Sequence, residues 1–531
     1  MQLRAHHHYP SRRSSVVARN MVATSQPLAA QAGLQMIARG GNAADAAIAS
    51  AITLTLVEPT GCGIGSDAFA ILWDGQQLHG LNASGRAPAG FDPKKYQGME
   101  ELPFRGWDPV TVPGVVSGWV AVSEKFGNLP FADLFEPAIQ YAETGFPVSP
   151  VIATLWAKGG EILSGQPGFA DTFLPGGRAP RAGEIFSSPA MARTFQLIAE
   201  TKGKAFYEGG LAEAMEAFAK AHDAPLRVAD LAAQKADWCG TISKGFDDLT
   251  LHEIPPNSQG IAALMALGML DHTNIRDLDV DDPQAFHLQL EAMKLALADT
   301  LEFVGDLEHM THITPEDMLD DGYLAERAKL IDPVKATNFK SGAPKRGSTV
   351  YLTAADETGM MVSFIQSNYS GFGSGVVVPG TGISLQNRGA GFSLDPKSQN
   401  MAAPGKRPFH TIIPGFLMKG NAPLMSFGVM GGPIQAQGHL QMVLRTQLWE
   451  QDPQMAADAP RWRVSDGLGV SCEQTFPTDT LEALSAMGHQ LTLEAPDNAF
   501  GFGGAQLIQK LESGAFAGGS EPRKDGQVVG F

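Results

Sequence analysis

Residues 346–367, RGSTVYLTAADETGMMVSFIQS, constrain the fold more than any other stretch of the chain. Side chains alternate along a strand, so Thr349, Tyr351 and Thr353 share one face and Val350, Leu352 and Ala354 the other. Asp356 to Gly359 reads as a turn and Met360 to Ser367 as a returning strand. If Glu357-Thr358-Gly359 is a three-residue loop with Gly359 left-handed, Asp356 pairs with Met360, and counting back sets Thr349 opposite Ser367. A four-residue loop would slip the register by one and turn Ser367 away. The hairpin thus begins on a hydroxyl, with the small pair Gly347-Ser348 just before it.

Around this hairpin the chain is long enough, at 531 residues, for several ordinary domains or one large α/β body. Its hydrophobic fraction of 44% permits a sizeable core, and its net charge of −17 speaks against a nucleic-acid partner, which Lys/Arg clusters would have to bind. Three scattered cysteines, Cys62, Cys239 and Cys472, fit a reducing compartment better than a disulfide framework. The basic N-terminus has no apolar run behind it and so does not read as a secretory signal. The His6–His8 triplet reads as incidental and solvated. The longest apolar stretch, Ala43 to Val57, is too short and polar for a membrane span. A cytoplasmic protein without membrane contact is expected, and its oligomeric state is left open, a homo-oligomer included.

Apolar spacing at Ala30, Leu34 and Ile37 predicts a helix stopped by Gly40-Gly41. A second helix is predicted from Asn42, as N-cap, to Val57. Asp74-Gly75 reads as a hairpin turn, LFEPAIQYAETGF as a short helix, and PQAFHLQLEAMKLALADTLEFVGD as a long helix capped by Asp282 with Pro283 at its first position. A polar, Gly/Pro-containing segment, DPVKATNFKSGAPKRGS, reads as an exposed linker dividing a helix-rich first two-thirds from a strand-rich last third. A mixed α/β layer architecture follows.

If the bond between Ser348 and Thr349 were broken, Thr349 would carry a free α-amine beside its hydroxyl. An α-amine titrates near about 7.7–8, so it can serve as a base close to neutral pH. Nucleophile and base would then sit in one residue, a known variant of triad logic. A hydroxyl on Ser367 could hydrogen-bond either group. Gly431-Gly432, ahead of a predicted helix, could supply backbone N–H groups to an oxyanion. Each signal taken alone is weak, since threonine is common in strands and Gly-Gly in turns.

Several segments resemble the γ-glutamyltranspeptidase family of N-terminal-nucleophile hydrolases, in register over roughly residues 20 to 525. Among them are GGNAADAAIASAITLTLVEP, VPGVVSGWVAVSEKFGNLPFADLFEPAIQYAETGF, GFGSGVVVPGTGISLQN and PGKRPFHTIIP. The resemblance implies a four-layer αββα sandwich (α/β, α+β) and a proenzyme that cleaves itself. Residues 1–348 would form the large subunit and residues 349–531 the small one, intertwined in one body. It implies Thr349 as nucleophile, cleavage between Ser348 and Thr349, Ser367 as the neighbouring hydroxyl, Gly431-Gly432 as the oxyanion pair, and a small-molecule amide as substrate.

The departures from the family pattern bear on the substrate. Thr-His after the nucleophile reads Val350-Tyr351. The carboxylate-gripping arginine aligns with Ser84, with Arg86 two residues on, which in a strand is the same face. The aspartate that receives the glutamyl ammonium aligns with Gly391. A paired serine reads His410-Thr411, an asparagine reads Tyr369, and Arg388 stands where a neutral amide is usual. An ammonium without a charge partner is costly to desolvate. A substrate with a carboxylate and no adjacent amine is therefore expected if Arg86, Arg388 or His410 faces the pocket. Oxamate-like amides fit. The plain alternatives are a solvated loop charge at Arg388 and a packed structural role for His410.

GCGIGSDAF, residues 61–69, follows a helix and precedes a strand, the reverse of the dinucleotide-binding order, so no dinucleotide is expected. No nucleophilic role is read for Cys62. The 13 histidines show no metal-type spacing, DLDVDDP lacks the calcium-loop pattern, and neither metal nor cofactor is expected. The expected activity is amide hydrolysis through an acyl-enzyme on Thr349. The alternatives are a true γ-glutamyltransferase or glutathione hydrolase and, more remotely, an uncleaved binding protein.

Overall fold

The structure is a computed structural model that describes residues 3, 13–340, 347–494 and 501–531. The histidine triplet and the end of the predicted linker, Lys345 and Arg346 included, lie outside the described residues. Among those described, two seven-stranded sheets form the centre. In the first, the strands run in the order Gln527–Gly530, Met21–Thr24, Ser348–Ala355, Met361–Tyr369, Asp67–Trp73, Leu78–Ala83 and Asp237–Trp238. In the second the order is Val16–Ala18, Phe516–Ser520, Gly504–Lys510, Ala422–Met430, Gly415–Lys419, Leu249–Glu253 and Ile242–Phe246. Neighbouring strands in both are antiparallel.

Three apolar clusters define four layers. One joins the helices Pro27–Ala38 and Ala43–Val57 to the outer face of the first sheet, through Val350, Leu352 and Phe364. Another joins the helices Gly260–Leu270, Pro283–Phe303 and Gln435–Val443 to the outer face of the second sheet. The third, with Phe69, Ile71, Tyr351, Ile365, Phe416 and Ile508, lies between the sheets. The order is helix, sheet, sheet, helix, the αββα sandwich expected. Both faces of the central hairpin are therefore covered, and every residue of Ser348–Ala355 is buried. Thr353 Oγ1 even bonds Ser426 Oγ of the opposite sheet at 2.6 Å.

The local readings stand. Asn42 caps Ala43–Val57 in a reciprocal box with Asp45. Every residue of that helix is buried, so it is covered all round rather than on one face, its hydroxyls at Ser50, Thr53 and Thr55 bonded to backbone carbonyls. Asp282 caps Pro283–Phe303, and strands flank Asp74-Gly75. Division of the chain by composition is not division in space: strands from before residue 340 and after residue 347 lie together in both sheets. Composition shifts because the first segment adds most of the covering helices, while backbone pairing ignores where along the chain a strand originates.

Candidate active site

The hairpin register is that of the three-residue loop. Gly359 has φ +91°, Asp356 N donates to Met360 O at 3.1 Å, and Val350 pairs with Gln366. A bulge interrupts the ladder between Ser348 and Val350, where Thr349 lies. Bulges re-aim side chains and release backbone groups from the ladder. Thr349 Oγ1 donates to Ser367 Oγ at 3.3 Å, and Ser367 spends its own proton on the carbonyl oxygen of Ser348 at 2.6 Å. The Ser367 oxygen also accepts the N–H of Tyr369 at 2.8 Å. A hydrogen-bonded path thus runs from the Thr349 hydroxyl to the carbonyl immediately preceding it.

Residues two apart share a face. Tyr351, Ile365 and Phe69 point into the layer between the sheets, so Thr349, Ser367 and Asp67 stand in a row at its end, Ser367 and Asp67 being direct cross-strand partners. Asp67 is fully buried. Its Oδ1 accepts the N–H groups of Gly85 and Gly114 at 3.0 and 3.1 Å, and its Oδ2 faces His410 Nε2 at 3.2 Å. Burial pushes its carboxyl up to about 7 against the pull of Arg388 and those backbone donors. Burial, then the nearby Arg388 and Arg407, hold His410 well below its ordinary range. The imidazole is neutral at physiological pH, donates from Nε2 to Asp67, and packs edge-on against Phe69.

Arg388 is 1% exposed. Its Nη1 donates to Thr411 Oγ1 at 2.9 Å, and its guanidinium lies 4.7 Å from the centre of the Tyr369 ring. Nε and Nη2, which share one edge of the guanidinium, have no hydrogen-bond partner among the described residues. Burial lowers the group to about 10, which leaves it charged at neutral pH. Tyr369 holds a left-handed backbone at φ +78°, a cost that residues bear mainly where surroundings fix them. Arg388 is no solvated loop charge.

Gly431 and Gly432 have φ +127° and +65°, conformations that favour glycine, and lead into the helix Gln435–Val443. The Gly432 carbonyl accepts Gln259 Nε2 at 3.0 Å. A Cβ built on Gly347 would lie 2.6 Å from Gly432 Cα, so the segment entering Thr349 runs directly against this pair. A cavity of about 170 Å³ opens at Gly347-Ser348, with Arg105, Lys158, Leu163 and Phe372 on its walls.

Arg86 is placed elsewhere. Its strand ends at Ala83, so the two-residue spacing from Ser84 carries no shared face, and its guanidinium pairs with Asp306 at 3.1 Å and Glu308 at 3.4 Å. Ser84 is buried and donates to Asn82 Oδ1. The structure does not bring Arg86 to the Thr349 cluster. The sequence reading missed Asp67, hidden at the end of a glycine-rich loop, and Gln435, whose Nε2 donates to Thr349 Oγ1 at 3.2 Å. For Asp67 the available signal was a carboxylate opening an apolar strand, DAFAILW.

Among the described residues one cluster has metal-ligand composition: His287, Glu291 and His489, all buried with ligand atoms within 4.8 Å. The Lys294 ammonium already occupies Glu291, and His287 lies between His489 Nε2 at 2.9 Å and the Asp332 carbonyl at 2.7 Å. The cluster carries its own cation. Cys62 is buried, accepts Gln366 Nε2 at 3.3 Å, and its thiol is pushed well up by burial, the opposite of a reactive thiolate. No helix among the described residues is long and apolar enough to cross a membrane.

A sequence model of gamma-glutamyltranspeptidase matches residues 29–531. The chain belongs to the gamma-glutamyltranspeptidase family. It is 34% identical to the glutathione hydrolase-like YwrD proenzyme of Bacillus subtilis, over 98% of this chain and 100% of that protein. It is 35% identical to the oxamate amidohydrolase proenzyme of Klebsiella pneumoniae, over 98% and 99%. Its fold superposes on the crystal structure of cephalosporin acylase from Bacillus halodurans with a TM-score of 0.94 and 47% identity, covering 99% of this chain and 98% of that one. As a member of the gamma-glutamyltranspeptidase family with this sandwich, the protein is a hydrolase of the N-terminal-nucleophile class.

Proposed function

We propose that the protein is a self-processing amidohydrolase that uses Thr349 as nucleophile on a small amide bearing a carboxylate. The observation that carries the reading is the path from the Thr349 hydroxyl through Ser367 to the Ser348 carbonyl. In self-cleavage Thr349 Oγ1 attacks the Ser348 carbonyl carbon. Its proton passes to Ser367 Oγ while the Ser367 proton passes to the carbonyl oxygen, giving a neutral tetrahedral adduct. The C–N bond then breaks, and the adduct's hydroxyl proton moves to the Thr349 nitrogen. What remains is an ester on Oγ1 and a free α-amine, and water hydrolyses the ester. The same amine then serves as base for a substrate amide, with Gly431-Gly432 as the oxyanion pair.

Arg388 supports the choice of substrate. Its two unpartnered nitrogens form the edge that grips a carboxylate with two parallel bonds. Tyr369, Thr411 and neutral His410 line the same region, with Thr411 and Tyr369 holding the guanidinium. The family's ammonium-binding aspartate has no room at Gly391, where a Cβ would lie 2.7 Å from the Phe409 carbonyl. An ammonium beside the carboxylate would meet the buried Arg388 cation, and the Asp67 carboxylate nearby is already engaged by Gly85, Gly114 and His410. Relatives named oxamate amidohydrolase and acylase support the reading at the level of amide cleavage. The proposed partners are the substrate and the protein's own two subunits.

The first test is intact mass of the parent beside Thr349→Ala after incubation at neutral pH. The expected result is two pieces from the parent, the smaller beginning at Thr349, and one whole chain from the variant. Two whole chains, or two alike in their cleavage, would overturn the assignment. Ammonia release from oxamate against turnover of a γ-glutamyl anilide then decides the substrate, with preference for the anilide favouring a true glutathione hydrolase.

A further inference from the structure

Among the described residues two polar side chains reach the Thr349 hydroxyl, Ser367 at 3.3 Å and Gln435 at 3.2 Å. Gln435 is fully buried at the first position of the helix Gln435–Val443, three residues beyond Gly432. The two ends of a glutamine amide have nearly the same shape, so its orientation has to be settled by its partners. Here the backbone settles it. The N–H of Ile413 donates to Gln435 Oε1 at 3.0 Å. A backbone N–H can only donate, so the oxygen belongs on that side and the amide N–H₂ is turned to Thr349. The Thr349 proton is already directed at Ser367, because Ser367 uses its own on the Ser348 carbonyl. Gln435 therefore donates into a lone pair of Oγ1.

We infer that Gln435 is a catalytic residue of the Thr349 chemistry, a neutral donor that holds Oγ1 in place and stabilises it whenever it carries negative charge. The inference rests on reading Thr349 as the nucleophile. Charge on Oγ1 is greatest when an ester on that oxygen is hydrolysed. Water adds to the acyl carbon as one of its protons passes to the α-amine, the C–Oγ1 bond breaks, and the electron pair stays on Oγ1 until the resulting α-ammonium returns that proton. A pre-aimed donor in a water-excluded site stabilises that oxygen without reorganising. The orientation is held from both ends, so the donor remains aimed while Ser367 exchanges protons. Gly431-Gly432 would meet the carbonyl oxygen and Gln435 the threonine oxygen, two oxygens on the same acyl carbon.

The experiment follows self-cleavage by intact mass in full-length chains made by cell-free synthesis, and then the burst and steady-state phases of amide turnover. Parent, Thr349→Ala, Gln435→Met and Gln435→Glu are compared. Gln435→Met is expected to slow self-cleavage and the steady-state phase by about 10- to 100-fold, the usual effect of losing one donor to a charge-bearing oxygen. Acyl-enzyme should accumulate in the burst. If Gln435→Met fails to give the parent's circular dichroism, Gln435→Glu decides. It keeps an oxygen for Ile413 but places a carboxylate against Oγ1, and is expected to be at least as slow. Self-cleavage within two-fold of the parent in a folded variant overturns the inference. If Thr349→Ala also cleaves, the nucleophile assignment itself falls. If Thr349→Ala stays whole while Gln435→Met keeps the parent's rate, only Gln435 is reassigned.

Discussion

Replacing Arg388 with methionine separates a binding role from a structural one. The side chain is 1% exposed, hydrogen-bonded to Thr411, stacked on Tyr369, and otherwise without a hydrogen-bond partner among the described residues. Its contribution to stability is a small difference of opposed terms. One charge-assisted hydrogen bond contributes about 1.5–3 kcal/mol, a desolvated cation–π contact about 2 kcal/mol, and the attraction of the Asp67 carboxylate adds to them. Against these stands the desolvation of a guanidinium, several kcal/mol. The expected change in stability is near zero. Loss of a buried partner to a bound carboxylate is larger, about 2–5 kcal/mol, or roughly 30- to several-thousand-fold in affinity. The assay is kcat/KM for oxamate beside that for acetamide, together with the thermal midpoint. The expected signature is a fall with oxamate alone, largely in KM, at an unchanged midpoint. Equal loss with both amides, or a midpoint lowered by many degrees, would show that Arg388 holds the fold and not the substrate.

Further outcomes follow from particular contacts. Gly347→Ala places a Cβ 2.6 Å from Gly432 Cα, backbone that cannot step aside, and is expected to slow self-cleavage at least tenfold in mass spectra while leaving the thermal midpoint within a few degrees. Ser367→Ala breaks the proton path and leaves the Tyr369 N–H without its oxygen. Cleavage is expected to fall by about 100-fold or more, within the range of positioned proton transfer, with recovery in Ser367→Thr. Burial works to raise Glu521, but Arg461 and Arg523 outweigh it and hold the carboxylate near about 2. This favours the folded state above the unfolded pKa of about 4.3, by about 3 kcal/mol, and the contribution is lost as pH falls toward 2. Glu521→Gln should lower stability at pH 7 and flatten the acid limb of chemical denaturation. Asp67, raised to about 7, acts with the opposite sign. Stability from that group falls as pH rises from about 4 to about 7, and Asp67→Asn should remove the slope.

Much of the fold could be read directly because local signals and tertiary demands agree. The Asn42 box, the Asp282 cap and the Asp74-Gly75 turn each satisfy backbone groups with neighbours a few residues away. Thr349 opposite Ser367 followed only if the loop had three residues, the length that the pairing of Val350 with Gln366 selects. Layer assignment was harder, since Ser348–Ala355 is buried on both faces and its alternation separates two interiors rather than inside from outside. Arg86 was misplaced because the strand period was carried past the strand's end at Ala83. Gln435 lay unseen because nothing in its local pattern marks it, and the glutamines at 435, 437 and 441 are all buried in the helix. Their partners, Ile413, Val464 and Trp462, arrive from distant segments. Asp67, His410 and Arg388 meet in the same way. Polar residues satisfied over long range leave no periodic trace.

The interleaving of strands has a consequence for reversibility. Met21–Thr24 lies between Gln527–Gly530 and Ser348–Ala355, and Asp67–Trp73 pairs with Met361–Tyr369. While the backbone is whole, reaching this weave is a search by one molecule, with every strand tethered to its neighbours. A cut before Thr349 would change the order of that reaction. The severed pieces would stay laced together, so dilution alone would not part them. Once melted, they would have to find each other from solution, and the midpoint of melting would acquire a dependence on protein concentration that the uncut chain lacks. A cut molecule would then persist through the slowness of its unlacing.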